Sequence, residues 1–583
     1  MPSVSTIEIN IEYIYLRRMD QPRLFFSLFA LFRLKKSNWS LLFSAIGTET
    51  DFFAGYRACM CLEGMHRIHM FKECHKCQEG LECRDDYASL KPGYWWTWRN
   101  DSHKYRYIDF INNLLAPLPA LSENDVQYPY PIPTPYRCRI KKSCKGRLDS
   151  QCKNGYEGPL CDVCSSNHYK QFQTCKTCPA KAWIAGQLAI IAAVLFLVIM
   201  VSVWANKRNN NNKKKENKAS PIDAVLAKLK IVIGFYQVIY GLLETFSYIT
   251  WPDSVQVIGT YSEILQLNIL QIAPVHCLSP GLRVDAFGNL FAIMAINAVV
   301  IVISGIAFGL SKLFISKNRN LDYQEKAKRV SQAKELVYRN LFFLLYVTYL
   351  STCAKTAAVL PIACRKLCRD KAEGQSCFEY LRADYSTRCY DSRYNNLVIL
   401  AYISTAYIIA LPAGTFIALW SQKRDLFTTQ NTKTSQTPGS NREIITGLRF
   451  LFESYKPCSW YWELVEVSRK VIVTSGLILV GQETRSYIGF TLVIAGMYGT
   501  LFCWIRPMRD VFENKMMSTS LAVTVVNLVI GAISRIPAEN LPAPTVSYMD
   551  AVLFNILVFA ANTSVMGLLV GKTVFLLMIG RVI

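Results

Sequence analysis

A short stretch of the sequence carries residue types that bind zinc. Cys74-His-Lys-Cys77 places two thiols three positions apart, and His66 and His69 lie just upstream. Thiolate and imidazole groups at such spacing are common Zn²⁺ ligands. However, twelve of the twenty cysteines fall within Cys59–Cys178. Disulfides at this density form in oxidising compartments, so we favour disulfides over a metal site.

Two charged residues lie within apolar segments. Glu244 falls in Leu229–Tyr248, and Lys355 falls in Leu341–Leu360. A charge at membrane depth is costly, which makes each a candidate functional residue. The two could pair between their segments, or Glu244 could face a water-filled path for cations. We favour a third interpretation, in which both lie near the outer interface and Lys355 snorkels towards it.

A second group of ionisable candidates precedes a short apolar run. Its members share one stretch of predicted helix and are Glu463, Glu466, Arg469 and Lys470. Glu466 precedes Lys470 by four positions, the favourable order for a helical ion pair. With tryptophans just before it, the stretch is typical of an interfacial anchor, which we favour. The alternative is a cytosolic gate or coupling element.

The sequence does not indicate an enzyme. All six histidines fall on the predicted outer side of the membrane and form no metalloprotease or triad pattern. The chain also contains no glycine loop that would cradle phosphates and no nucleophile elbow. We therefore predict no catalytic residues, no cofactor and no metal.

The elements that position these residues are long apolar segments. Runs of about 18–24 apolar residues match the thickness of a bilayer. They predict an all-α polytopic membrane bundle of about nine transmembrane helices. The sixth is short and becomes a span only if the charged stretch before it forms its cytosolic end. The predicted spans are Trp183–Trp204, Leu229–Tyr248, Phe287–Leu310, Leu341–Leu360, Leu397–Trp420, Val471–Val480, Tyr487–Trp504, Met516–Ile533 and Ala551–Val570.

The distribution of basic residues predicts the orientation of these spans. With the cysteine-rich segment outside, the predicted inner loops and tail hold 26 Lys and Arg, whereas the outer loops between spans hold 10. This asymmetry follows the positive-inside rule and places the C-terminus in the cytosol. It also accounts for the net charge of +23 without nucleic acid as a partner. The predicted cytosolic linkers are residues 205–228, 311–340 and 421–460.

Three regions follow from this pattern. Residues 1–57 hold one apolar stretch with basic flanks, which is a poor signal peptide, an uncleaved anchor or the remnant of a gene model that lost its true beginning. We favour the last of these. Residues 58–182 form the predicted cysteine-rich ectodomain, and residues 183–583 form the helix bundle. Asn100-Asp-Ser102 is a glycosylation sequon in the ectodomain.

The end of the cysteine-rich region carries a recognisable motif. The stretch Cys152-Lys-Asn-Gly-Tyr-Glu-Gly-Pro-Leu-Cys161-Asp-Val-Cys164, followed by Cys175 and Cys178, resembles the second half of a laminin-type EGF repeat. The resemblance implies that Cys152 pairs with Cys161 and Cys164 with Cys175. We also expect disulfides in the loop after the fourth span, among Cys364, Cys368, Cys377 and Cys389.

Further segments extend the resemblance from about Cys59 to the end of the chain. They are similar to landmarks of a family of polytopic invertebrate and protist membrane proteins with EGF-like ectodomains and a TRP-like C-terminal transmembrane region. That resemblance implies the fold and topology, and no ligand, ion or activity. The segments are Leu90–Trp96, Leu229–Gln237, Trp251-Pro252, Cys377–Tyr385 with Cys389, and Trp460–Lys470.

Together these features predict a multi-pass plasma-membrane protein. We expect a receptor-like or adhesion-linked sensor that binds an extracellular protein or matrix ligand through its EGF-like ectodomain. The alternative is a TRP-like cation channel or transporter that the ectodomain regulates. The lipid bilayer is a partner in both interpretations, and cations are a partner in the second.

Overall fold

The fold is taken from a computed structural model of the chain. Most of the predicted N-terminal segment 1–57, most of the first predicted span and most of the linkers 205–228 and 421–460 lie outside the residues that the structure describes. The described residues are 48–49, 60–70, 73–115, 127–171, 174–190, 193, 221–246, 249, 251–265, 274, 277–278, 285–317, 322–370, 377–421, 448–476, 485–533 and 548–582.

The described chain divides into two compact units. The first comprises residues up to Cys152 together with Cys368–Cys377, and the second comprises Lys153–Leu367 and Phe378–Ile583. The predicted boundary at residue 182 lies within the second unit and stays a prediction. The later part of the cysteine-rich region, from Lys153, groups with the helices.

Short antiparallel ribbons and one helix, α1 (Asp101–Leu115), form the first unit. Ribbons this short are marginally stable alone, and disulfides join Cys61 to Cys74, Cys77 to Cys83 and Cys138 to Cys144. The paired strands are β1 (Thr48–Glu49) with β2 (Met60–Cys61), β3 (Met65–His66) with β4 (His75–Lys76), β5 (Leu81–Arg84) with β6 (Tyr87–Leu90), and β7 (Tyr94–Trp95) with β8 (Tyr136–Arg137).

Aromatic side chains fill the small core of this unit. Trp96, Tyr107 and Tyr128 are almost completely buried. The Tyr107 hydroxyl donates to the Ala88 carbonyl at 2.9 Å and accepts from the Ala88 amide at 3.0 Å. A buried aromatic hydroxyl with both partners satisfied fixes α1 against the β5–β6 ribbon at little desolvation cost.

The second unit begins with small ribbons and continues as helices. Its strands are β9 (Tyr156–Glu157), β10 (Val163–Cys164), β11 (His168–Gln171), β12 (Thr174–Thr177) and the sheet of β13 (Cys364–Cys368), β14 (Cys377–Leu381) and β15 (Asp384–Arg388). Its long helices are α2 (Pro221–Thr245), α3 (Asp253–Leu265), α4 (Ala286–Lys317), α5 (Tyr323–Val359), α6 (Ser392–Ser421), α7 (Trp462–Thr474), α8 (Arg485–Ile505), α9 (Val511–Ile533) and α10 (Tyr548–Val582).

Five described helices are long and apolar enough to cross a membrane. They coincide with the third, fourth, fifth, seventh and eighth predicted spans, so the chain is mostly helical with candidate membrane-spanning helices, as predicted. They are Ala286–Lys317, Tyr323–Val359, Ser392–Ser421, Ile488–Ile505 and Val511–Ile533.

The count of nine spans stays a prediction. The sixth predicted span, Val471–Val480, overlaps α7 only at the last four residues of α7, and α7 has 13 residues. For the ninth, the apolar helix among the residues with described side chains is Asn555–Gly571. The second, α2, carries Lys228, Lys230 and Glu244 near its two ends. The uncharged stretch between Lys230 and Glu244 has 13 residues.

Polar side chains join neighbouring helices of the bundle. Asn297 of α4 contacts two threonines of α5, since its Oδ1 accepts from Thr348 at 2.7 Å and its Nδ2 donates to Thr352 at 3.2 Å. Thr356 of α5 and Ser404 of α6 lie 2.6 Å apart through their hydroxyls. In a bilayer the hydrophobic effect does not favour contacts between helices over contacts with lipid. Such hydrogen bonds therefore help to specify which helices pack together.

Candidate functional site

Helices α2 and α7 pack closely along a seam that we call the α2–α7 seam. Gly234 and Gly241 lie seven positions apart on α2, and each faces a side chain of α7 where a Cβ would collide. Gly234 faces the Lys470 ammonium, and Gly241 faces Thr474. The contacts advance along both helices in the same direction, so the two helices run parallel. Small residues permit this approach.

An ion pair stands at the start of the α2–α7 seam. Lys230 Nζ lies 2.7 Å from Glu463 Oε2. The Tyr455 hydroxyl donates to the same carboxylate oxygen at 2.8 Å. Glu463 is only 4% exposed, so its charge depends on these two partners. A buried carboxylate without them would be strongly destabilising.

One turn further, a single carboxylate serves two cations. Arg469 binds Glu466 with two hydrogen bonds, from Nε to Oε2 at 2.9 Å and from Nη2 to Oε1 at 2.6 Å. Lys470 Nζ lies 3.5 Å from the same carboxylate. Glu466 and Arg469 are 2% and 6% exposed. This forked geometry is the strongest arrangement available to a guanidinium and a carboxylate.

Aromatic rings close off this charged group. The Arg469 guanidinium lies over the Tyr498 ring of α8, 5.0 Å from its centroid. Trp462 Nε1 donates to the Tyr498 hydroxyl at 3.1 Å. These contacts join α7 to α8 and separate the ion pair from solvent. A guanidinium stacked on a ring keeps its attraction to the ring when it is desolvated.

A small cavity borders the charged group. It is lined by Glu466, Arg469 and Lys470 of α7, by apolar residues of α2, and by α9 residues that include Ser520 and Thr524. Its volume is about 10 Å³, roughly the space of one water molecule. The cavity is therefore far too small for an organic substrate.

The structure brings the other two ionisable candidates together. Lys355 Nζ of α5 lies 3.6 Å from Glu244 Oε1 of α2. The Glu244 side chain is 37% exposed and the Lys355 side chain is 12% exposed. Of the interpretations that the sequence left open, the arrangement matches pairing between the two helices.

The interfacial-anchor interpretation of Trp460–Lys470 is not supported by this arrangement. Trp460, Trp462, Glu463, Glu466 and Arg469 are each buried within the second unit. Anchoring residues would instead expose their rings and charges to headgroups. Lys230, Tyr455 and Tyr498 were not predicted from the sequence as members of this group. The glycines at positions 234 and 241 were a usable signal for close helix packing, but their partners lie more than two hundred positions away.

The cysteines of the zinc-like motif are disulfide-bonded. Cys74 pairs with Cys61, and Cys77 pairs with Cys83. His66 remains close, with Nδ1 3.3 Å from Cys77 Sγ. Burial lowers the pKa of His66 below its ordinary value, and the nearby His75 lowers it further. A zinc site would require these thiols to be reduced first.

The remaining cysteines of interest also form disulfides. Cys152 and Cys161 are each disulfide-bonded. The other pairs are Cys164–Cys175, Cys178–Cys277, Cys364–Cys389 and Cys368–Cys377. The bond between Cys178 and Cys277 spans 99 positions and had not been assigned from the sequence. Cys353, Cys458 and Cys503 are free.

The predicted glycosylation site lies at the start of α1. Asn100 is exposed, and its Oδ1 accepts a hydrogen bond from the His103 amide at 2.9 Å. Asn100 is therefore the N-cap of the helix. The capping bond uses Oδ1, whereas an N-linked glycan attaches at Nδ2.

Comparison with known proteins adds no relative. No family model, no curated protein and no solved structure matches this chain. The function must therefore be argued from the chain's own residues.

Proposed function

We propose that this chain is a multi-pass plasma-membrane protein that acts as a receptor-like or adhesion-linked sensor. Its disulfide-rich segments lie outside the cell in this proposal, and the C-terminus lies in the cytosol. Disulfides persist in oxidising compartments, which supports an extracellular position for every loop that carries one. The predicted ectodomain, residues 58–182, would bind an extracellular protein or matrix ligand, and its part Cys152–Cys178 is called the EGF-like segment below.

The observation that carries the proposal is the disulfide between Cys178 and Cys277. Cys178 is the last cysteine of the EGF-like segment. Cys277 precedes α4, which begins at Ala286. The bond therefore ties that segment covalently to a loop that precedes a candidate membrane-spanning helix. A displacement of the segment would reach α4 through a covalent link.

A second path runs through the three-stranded sheet β13–β15, which lies between α5 and α6 in the chain. Strand β15 packs against the turn Pro159–Cys161 and against β10 in the EGF-like segment. The disulfide Cys364–Cys389 joins the start of β13 to the residue that follows β15. Since α5 ends just before this sheet and α6 begins just after it, movement of the EGF-like segment would displace the ends of both helices.

The α2–α7 seam supplies the element that would respond in the membrane. The Lys230–Glu463 ion pair joins the two helices in one register, and sliding of one helix past the other would separate the buried Glu463 carboxylate from Lys230. Buried networks of this kind favour discrete arrangements over gradual ones. This supports the coupling-element interpretation of Glu463, Glu466, Arg469 and Lys470.

The proposal is tested by attachment of cells to surfaces coated with extracellular-matrix protein. We expect cells that express the full chain to attach more strongly than mock-transfected cells. A Cys178→Ser/Cys277→Ser variant at equal surface level should retain ligand attachment and lose the ligand-dependent change in a fluorescence reporter fused to the C-terminus. Equal attachment of expressing and mock cells would contradict a receptor for such ligands.

The alternative is a cation channel or transporter. The charged side chains between helices, above all the Glu244–Lys355 pair, favour it because ionisable groups in membranes often mark ion paths. Whole-cell recording distinguishes the two. A cation current that Glu244→Gln abolishes would support conduction, and absence of current with retained matrix attachment would support the sensor.

A further inference from the structure

Helices α4 and α5 are longer than a bilayer requires. They have 32 and 37 residues, which correspond to about 48 and 56 Å at 1.5 Å per residue. The hydrocarbon core is only about 30 Å thick. They pack against each other along their length, so one end of the pair extends beyond the hydrocarbon region.

The extending end is the one where α4 finishes and α5 starts. The apolar part of α5 lies at its C-terminal end, and its first turns are polar. We call residues Leu310–Lys317 of α4 and Tyr323–Arg339 of α5 the hairpin tip. Lys326 Nζ donates to the Ser316 carbonyl at 3.3 Å, which holds the two helices together there.

The hairpin tip is apolar and basic at once. Leu313 and Phe314 of α4 are 67% and 74% exposed, although they lie at the level of the polar part of α5. The exposed basic residues beside them include Lys312, Lys317 and Lys328. Large exposed apolar groups outside the hydrocarbon core would be unfavourable in bulk water, and they are favourable where headgroups meet acyl chains.

The charge of the tip identifies the headgroups. The hairpin tip carries seven basic side chains and two acidic ones, Glu325 and Glu335, and Asp322 lies just before Tyr323. Part of this charge is internally paired, since Arg329 lies 2.8 Å from Glu325. The surplus is positive, and juxtamembrane basic clusters attract anionic lipids.

We propose that the hairpin tip lies on the adjacent leaflet and binds anionic phospholipid headgroups. Leu313 and Phe314 insert at the boundary of headgroups and acyl chains. The neighbouring lysines contact lipid phosphates. The inference is independent of whether the protein is a sensor or a channel, because it depends only on helix length, exposure and charge.

The test is a binding titration on the purified full chain in detergent. Short-chain phosphatidylserine is titrated and thermophoresis is measured, with short-chain phosphatidylcholine and inorganic phosphate as separate arms. We expect saturable binding of phosphatidylserine, at least tenfold weaker binding of phosphatidylcholine, and no competition by phosphate. Equal binding of both lipids, or displacement by free phosphate, would overturn the proposal.

Substitutions in the hairpin tip test whether it is the binding site for phosphatidylserine. Lys312→Gln/Lys317→Gln/Lys328→Gln should weaken phosphatidylserine binding by roughly tenfold or more, and Phe314→Ser should weaken it as well. The matched control is Lys142→Gln/Lys145→Gln/Lys153→Gln, which removes the same charge from exposed positions of the cysteine-rich region. Equal losses in the two triple variants would refute the site. A change of oligomeric state in Phe314→Ser would assign the apolar surface to a second copy instead.

Discussion

The Glu466 carboxylate forms ion pairs with two cations of its own helix. It neutralises Arg469 directly and Lys470 at a slightly longer distance. All three belong to one helix, so a local sequence pattern produces the pair. The energetic weight comes from burial, because a guanidinium left without its carboxylate in a dry environment is far less stable than one on the surface.

Replacing this carboxylate by its amide should therefore be costly. We expect Glu466→Gln to lower the free energy of unfolding by about 3–5 kcal/mol, since it leaves buried cations unpaired. The measurement is thermal unfolding of the full chain in detergent.

The control is Glu325→Gln, which removes a carboxylate from the exposed i, i+4 pair with Arg329. Its effect should stay within about 0.5 kcal/mol. A double variant Glu466→Gln/Arg469→Met should recover part of the loss, because it removes the stranded guanidinium. Equal unfolding temperatures for Glu466→Gln and Glu325→Gln would show that the buried pair contributes nothing.

Helices α2 and α7 illustrate how an element acquires a partner. Helix α7 is short, and α2 is interrupted by charges, so neither resembles a simple apolar span. Their glycines and threonines allow the backbones to approach, and the Thr245 hydroxyl donates to the Thr474 carbonyl at 2.8 Å. Close approach is what lets Lys230 reach Glu463 across the α2–α7 seam.

The two glycines of the seam should differ in their tolerance of alanine. In Gly241→Ala the new Cβ would lie 2.6 Å from Thr474 Cγ2 and 2.7 Å from Thr474 Cβ, and the Thr474 Cβ cannot move unless the helix moves. We expect a loss of about 1–3 kcal/mol from overpacking. In Gly234→Ala the obstacle is the end of the flexible Lys470 side chain, so the loss should be smaller.

Gly499→Ala provides the control, because its Cβ would meet Leu521 Cβ at 3.9 Å, an ordinary contact. Unfolding temperatures of the three variants should rank in the order Gly499→Ala, Gly234→Ala, Gly241→Ala from highest to lowest. If Gly241→Ala unfolds at the same temperature as Gly499→Ala, the α2–α7 seam is looser than described.

For the whole molecule, sidedness connects the disulfides, the helices and the basic loops. Disulfides occur in the cysteine-rich region, before α4 and between α5 and α6. In a chain that threads a bilayer, these positions share one side if α4 and α5 cross in opposite directions. The predicted orientation from basic residues places that side outside the cytosol.

Glycosylation checks this sidedness in the intact protein. Expressed in eukaryotic cells, the chain should carry a glycan at Asn100, so that glycosidase treatment shifts its gel mobility and Asn100→Gln reduces the shift. Asn562, in the sequon Asn562-Thr-Ser564, should contribute none. It is fully buried, and its amide donates to Asn527 Oδ1 at 3.0 Å.

Cysteines introduced at Lys214 and Ser435 supply the complementary measurement. In intact cells they should resist an impermeant thiol reagent and react after permeabilisation. An unchanged mobility in Asn100→Gln together with external labelling of these cysteines would reverse the proposed orientation.

Local properties of the chain could be predicted from the sequence alone. Apolar run length identified the helices that can cross a membrane, because a bilayer imposes a minimum length on any span. Cysteine density identified a disulfide-rich region, because a small segment cannot build enough core without staples. The spacing of Glu466, Arg469 and Lys470 places these residues within reach of each other on one helix.

Contacts between residues far apart in the sequence could be identified only from the tertiary structure. Lys230 and Glu463, or Cys178 and Cys277, lie too far apart in sequence for any periodicity to relate them. The same limit led us to place Trp460–Lys470 at an interface, since charges beside tryptophans look alike whether they meet headgroups or other helices. Burial depends on which surfaces pack together, and that packing is a property of the whole fold.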